Sequence, residues 1–156
     1  MNMLTKIALC LAPLAAASAA DAPGVVIWKS GDLKAYQQKL AAKLSPQKVA
    51  SEKINDFGNH YAMIAHREGT GEAEVHDMWT DLFVIETGEA TLVIGGKLKN
   101  GKVTAPGEQR AASIDGGEKH KVSAGDVVHI PAKVAHHMLV DGGKQVTYFV
   151  IKVETK

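Results

Sequence analysis

Two short, well-separated stretches of this chain carry side chains that could do metal chemistry. The first is Glu74-Val-His76-Asp-Met-Trp-Thr-Asp81, followed by Gly88; the second is Gly125-Asp-Val-Val-His-Ile-Pro131-Ala-Lys-Val-Ala-His136. Glu74 and His76 are two residues apart, so on a strand they share one face. Asp81 follows after a turn, early in the next apolar run. His136 comes just after Pro131, where a strand can begin to run back across a sheet. Imidazoles and carboxylates delivered by two hairpins to one point are a common way of building a metal site.

The other polar candidates have more ordinary roles open to them. All seven histidines fall between His60 and His137, so spacing rather than clustering carries the argument. His137 adjoins His136 and points to the opposite face, which makes it structural. His129 shares parity with Val127 and would either line a cavity or bond a backbone carbonyl. His60, His66 and His120 are expected as surface or hydrogen-bonding residues. Arg67 and Arg110 could bind a carboxylate substrate, although a surface ion pair is the plainer role for each. Trp79, Phe83, Met138 and Tyr148 could wall an apolar pocket or simply fill the core; Met138, two residues past His136, is favoured for the pocket.

The elements that must position these groups are mostly strands. Tyr61–His66, Leu82–Glu86, Ala90–Ile94, Arg110–Ile114, Val127–Ile130, Met138–Val140 and Val146–Val153 are rich in β-branched and aromatic residues. Glycine-bearing turns separate them, among them Thr87-Gly88, Gly95-Gly96 and Gly116-Gly117. Asn100-Gly101 is the sharpest hairpin signal, since both residues tolerate positive φ. Such regular punctuation indicates an all-β sandwich or jelly-roll barrel. Ahead of the strands, Leu33, Tyr36, Leu40 and Leu44 recur at helical spacing, with Ser30 or Asp32 as N-cap and Ser45-Pro46 closing the segment. This predicts an amphipathic helix of about three turns, packed as a lid on the outside of the barrel.

Residues 1–20 read as a cleaved signal peptide. Lys6 gives a positive start, Ile7 to Ala17 is apolar, and Ala17-Ser18-Ala19 and Ser18-Ala19-Ala20 offer small-x-small cleavage sites. The run is too short to span a bilayer. Cys10, the chain's one cysteine, lies inside it behind Leu9, a poor context for lipid attachment. Cleavage would remove both the cysteine and Lys6, leaving no disulfide and equal numbers of basic and acidic residues. No basic stripe points to nucleic acid, and no membrane anchor is expected in the mature form. The destination is periplasmic or secreted. The remaining chain, one domain's worth and long enough to bury a core, divides into residues 21–58, an N-terminal helix and linker, and residues 59–156, the barrel domain.

Both stretches resemble the cupin superfamily, whose first motif runs G-x5-H-x-H-x(3–4)-E-x6-G and whose second runs G-x5-P-x-G-x2-H-x3-N. Here the first appears as Glu74-x-His76-x4-Asp81-x6-Gly88, with Glu for the first His, Asp for the Glu, and Gly69 one residue out of step. The second appears as Gly125-x5-Pro131-x-Lys133-x2-His136-x3-Val140, with Lys133 and Val140 replacing Gly and Asn. The resemblance covers roughly residues 61–153, and is strongest to small exported single-domain bacterial cupins. It implies an all-β, cupin-type jelly-roll barrel holding one divalent metal. Carried over position by position, His76, Asp81 and His136 are the ligands, with Glu74 a possible fourth. Two imidazoles and one or two carboxylates suit Mn, Fe or Zn.

The expected function is therefore an exported metal-binding cupin acting on a small organic molecule, as an oxygenase, isomerase or lyase if it is an enzyme at all. The alternative is a metal-independent module binding a small ligand or sugar. A third, weaker reading is a structural or partner-binding protein whose helix docks elsewhere. A homodimer is expected by resemblance alone. No Gly-x-Ser-x-Gly elbow, phosphate loop or cysteine nucleophile offers a competing chemistry.

Overall fold

The computed structural model describes residues 23–155; the proposed leader lies outside them. No helix among the described residues is long and apolar enough to cross a membrane. One helix, α1 (Ser30–Ala41), precedes twelve strands: β1 (Val49–Asp56), β2 (His60–Arg67), β3 (Ala73–His76), β4 (Trp79–Ile94), β5 (Lys97–Leu98), β6 (Lys102–Ala105), β7 (Glu108–Ala111), β8 (Ile114–Asp115), β9 (Glu118–Ser123), β10 (Val127–Ile130), β11 (His136–Leu139) and β12 (Val146–Glu154). The main path runs β1-β2-β12-β4-β11-β3-β7-β6, with β9 and β10 also paired to β4. All pairings are antiparallel, and the curled sheets form the jelly roll expected from the sequence.

Strand β4 joins the two halves of the roll. Its first part pairs with β12 and β10, and its second with β9 and β11. The crossing falls at Gly88, where φ is 76° and a Cβ would run into the backbone carbonyl of Gln145. Thr87-Gly88, read from the sequence as a turn between two strands, is thus a bend inside one long strand. The ladder to β12 slips between Thr147 and Tyr148 at the same place, as a bulge does where a strand changes direction.

Alternation sorts the strand residues into two cores. Inward-facing Ala65, Phe83, Ile85, Leu92, Met138, Tyr148 and Val150 fill the roll. Outward-facing Ala62, Ile64 and Phe149 meet Leu33 and Leu40 of α1, with Trp28 5.0 Å from the Phe149 ring. The helix therefore covers the outer face of β2 and β12, and burying each leucine is worth about 2 kcal/mol. Its N-cap is Lys29, without a side-chain cap, in place of the expected Ser30 or Asp32.

Two more expectations are corrected. The segment 21–58 is not only helix and linker, because Val49–Asp56 forms the edge strand β1. Asn100-Gly101 does not close a hairpin: β5 pairs with β8 and β6 with β7, and of the two turn residues Asn100 alone has positive φ.

Candidate metal centre

Three strands deliver the four candidate ligands to the inside of the roll. Glu74 and His76 lie on β3 with the same parity. His136, on β11, is the cross-strand partner of Glu74. Asp81 sits near the start of β4, opposite Ile130 on one side and Lys152 on the other. Donor atoms of Glu74, His76 and His136 all lie within 4.8 Å of one another. Asp81 Oδ2 is 3.4 Å from Nε2 of both histidines, and Glu74 Oε2 is 3.3 Å from His76 Nε2. The imidazole rings stand 5.2 Å apart, centre to centre.

The second nitrogen of each ring sets its tautomer. His76 Nδ1 lies 2.6 Å from Glu108 Oε2, and His136 Nδ1 lies 3.1 Å from the carbonyl of Val134. Carboxylates and carbonyls only accept, so each Nδ1 carries a proton and donates it. Whenever such a ring is neutral, it is therefore the bare Nε2 that faces the cluster. Both Nε2 atoms are buried and have no aligned hydrogen-bond partner among the described residues. Two buried orphan nitrogens aimed at a common point are expensive unless something satisfies them. A divalent cation fits this donor set of two imidazoles and two carboxylates, as does the arrangement of second partners behind the ligands.

Directly opposed residues on neighbouring strands hold three of the four groups from behind. Glu108 faces His76 and Arg110 faces Glu74 across β7 and β3. Arg110 Nη1 comes within 2.7 Å of Glu74 Oε2. Lys152 faces Asp81 across β12 and β4, with Nζ 2.5 Å from Oδ1. Burial disfavours ionisation of Glu74 and Asp81, yet the adjacent histidines and these cations hold both carboxyls well below the usual carboxylate range. Burial likewise opposes protonation of His76, but the Asp81 and Glu74 carboxylates overcome it and raise its pKa to about 9.

A cavity of about 390 Å³ opens beside the cluster. Tyr61, Met63, Ala65 and Arg67 line it from alternate positions of β2, and Tyr148, Val150 and Lys152 from β12. Arg67 is buried and Arg110 half-buried on this wall, so neither is the surface residue that the plainer reading supposed. Met138 belongs to the core, whereas Phe83 and Tyr148 do reach the cavity. His129 is exposed and does not join the site. His137 turns away, its Nε2 3.3 Å from the Gly71 carbonyl, and burial lowers its pKa. His66 is buried against the Thr147 hydroxyl at 2.8 Å, while His60 and the exposed His120 stay near Asn59 and Glu118 respectively.

Lys152 and Glu108 were not singled out from the sequence. The signal was present in parity: a lysine continues the inward series Tyr148, Val150, and Glu108-x-Arg110 repeats the spacing of Glu74-x-His76.

No family model matches the chain, and no curated protein matches it in sequence. Solved structures do resemble it. The polyketide cyclase RemF from Streptomyces resistomycificus superposes with a TM-score of 0.50 at 13% identity, covering 70% of this chain and 69% of that one. KdgF from Halomonas sp. gives a TM-score of 0.51 at 10% identity, covering 72% and 84%. These are cupin-fold proteins, and the fold of this chain is that of the cupin superfamily. At such identity the likeness speaks for the fold alone.

Proposed function

We propose that this protein binds one divalent metal ion through His76, His136, Glu74 and Asp81, and uses the adjoining cavity to hold a small organic molecule. The observation that carries the reading is the pair of buried, unpartnered Nε2 atoms facing two carboxylates. In that position a divalent ion supplies Lewis acidity or an oxygen-activating centre. The protein's own residues then orient the ligands, with Glu108 and the Val134 carbonyl fixing the tautomers. The apolar wall of Met63, Phe83 and Val150 excludes water from one side of the bound molecule. Fold alone does not choose among oxygenase, isomerase and lyase chemistries.

Metal analysis of protein purified without chelator tests the reading. Near-stoichiometric manganese, iron or zinc is expected, with loss of that metal in His136→Ala. Metal-free protein that also refuses added metal would end it.

A second reading, a metal-independent ligand-binding module, draws on a specific observation. With His76 protonated, the cluster is a self-contained set of ion pairs among Glu74, Asp81, Glu108, Arg110 and Lys152. Ligand stabilisation that survives both chelator and His76→Ala would favour it. Export to the periplasm or medium rests on the composition of residues 1–20, and cell fractionation with N-terminal sequencing checks it.

A further inference from the structure

The cavity wall carries cationic and hydroxyl groups beyond those a metal centre needs. We propose that its occupant bears a carboxylate, received by Arg110 and by the Arg67–Tyr148 pair. The inference rests on the metal reading above and names the substrate class of that same site.

Arg67 is buried although it is a guanidinium. Its Nε donates to the Tyr148 hydroxyl at 2.8 Å, its Nη1 to the Thr70 carbonyl at 2.8 Å, and its Nη2 lies 3.4 Å from Glu74 Oε1. Arg110 stands on the other oxygen of Glu74, and its Nη2 lies 3.4 Å from Glu108. Together the two guanidiniums bracket Glu74 along the cavity wall. Donor capacity remains on this wall. Arg110 Nη1 is closed off against Glu74, but 28% of the side chain stays exposed and the residue lines the cavity. The Tyr148 hydroxyl accepts from Arg67 and donates to no acceptor among the described residues. Gly71 permits the arrangement, since a Cβ there would collide with Arg67 Nη1.

Charge balance points the same way. The cations Arg67, Arg110 and Lys152 face the carboxylates Glu74, Asp81 and Glu108 on the inner wall, and Glu72 is exposed at the rim. With His76 in the neutral form that metal binding requires, that wall is balanced apart from the ion itself. A divalent ion adds two positive charges in a partly desolvated space, where uncompensated charge is costly. The exposed Glu72 is screened by water and offsets little. An anionic ligand restores the balance, and the planar guanidinium fork matches a carboxylate in shape. Met63, Phe83 and Val150 offer apolar surface to its carbon skeleton, and a volume of about 390 Å³ suits a small acid.

Calorimetric titration of the manganese-loaded protein tests this, using lactate, malonate and benzoate, each against its neutral amide. At least one acid is expected to bind tenfold or more tightly than its amide. Arg110→Gln is expected to weaken that acid about tenfold, with Tyr148→Phe weakening it less. Manganese affinity is measured separately, without acid, for each protein. If manganese binds but no acid is preferred over its amide, the carboxylate inference fails and the metal reading stands. An acid preference that Arg110→Gln leaves unchanged in a protein that still binds manganese overturns the assignment of Arg110. Should wild-type protein bind none of manganese, iron and zinc, both readings fall together; should it take up only iron or zinc, the same titrations are read on that form.

Discussion

Lys152 and Asp81 are cross-strand neighbours on β12 and β4, and their side chains meet at 2.5 Å with both residues buried. The lysine occupies one carboxylate oxygen and leaves the other between the two imidazoles. Asp81 is thereby held in a fixed orientation, one methylene shorter than the glutamate of the family pattern. Removing the cation would strand a buried negative charge. Lys152→Met is expected to destabilise the chelated protein by about 3 kcal/mol, with a smaller loss when manganese is present to take up that charge. Urea unfolding with and without metal measures both; equal losses in the two states would contradict the account.

Glu108 acts on the centre through His76. Its carboxylate fixes the Nδ1 proton at 2.6 Å, so Glu108→Gln weakens the hold on ring orientation while preserving size. Metal affinity is expected to fall between about tenfold and a hundredfold, with the far-ultraviolet spectrum unchanged. Unaltered affinity would show that the contact is incidental.

Metal binding must expel a proton from His76. Its pKa in the metal-free fold is about 9, raised by the neighbouring carboxylates against the effect of burial. Below that value the proton competes with the ion for Nε2, so affinity increases with pH, about tenfold per unit, and levels off above it. The same shift stabilises the metal-free fold below the unfolded-state pKa of about 6.5, and this contribution is lost as pH rises through about 9. Calorimetry in buffers of different ionisation enthalpy should report one proton released per ion from this residue near pH 7. No release there would contradict the protonated state.

Lys133 occupies the position where the family pattern has glycine, and its φ of 68° is in the left-handed region. Its amide donates to the His76 carbonyl at 2.7 Å, tying this turn to the candidate centre. Lys133→Gly relieves the backbone strain at some cost in unfolded-state entropy. A net gain of up to about 1 kcal/mol is expected, with metal affinity unchanged. Thermal unfolding decides it, and a lower Tm would contradict the strain.

Much of the site was legible because strand parity is local. Glu74 and His76 share a face wherever a strand forms, and the turn after Pro131 places His136 on the strand that returns beside β3. The rest depended on pairing between distant strands. That Asp81 would face Lys152, or His76 face Glu108, is a matter of register, which neither segment states by itself. Strand β1 was missed because Val-Ala-Ser-Glu-Lys-Ile-Asn-Asp carries a mostly polar edge, paired on one side alone. Strand β4 was cut in two because a glycine after threonine looks like a turn. Only the carbonyl of Gln145, pressed against Gly88 from the segment leading into β12, shows why glycine is needed at that bend.

The central claim is that His76 and His136 together grip one ion. Pulsed electron paramagnetic resonance on the manganese-loaded protein reads this directly, through nitrogen couplings to the metal. The account predicts couplings from two imidazole nitrogens in the native protein and, in His136→Ala, from one at most, seen only when excess manganese is added to replace the ion lost on purification. A manganese signal without nitrogen coupling, or one unchanged by that substitution, would contradict it.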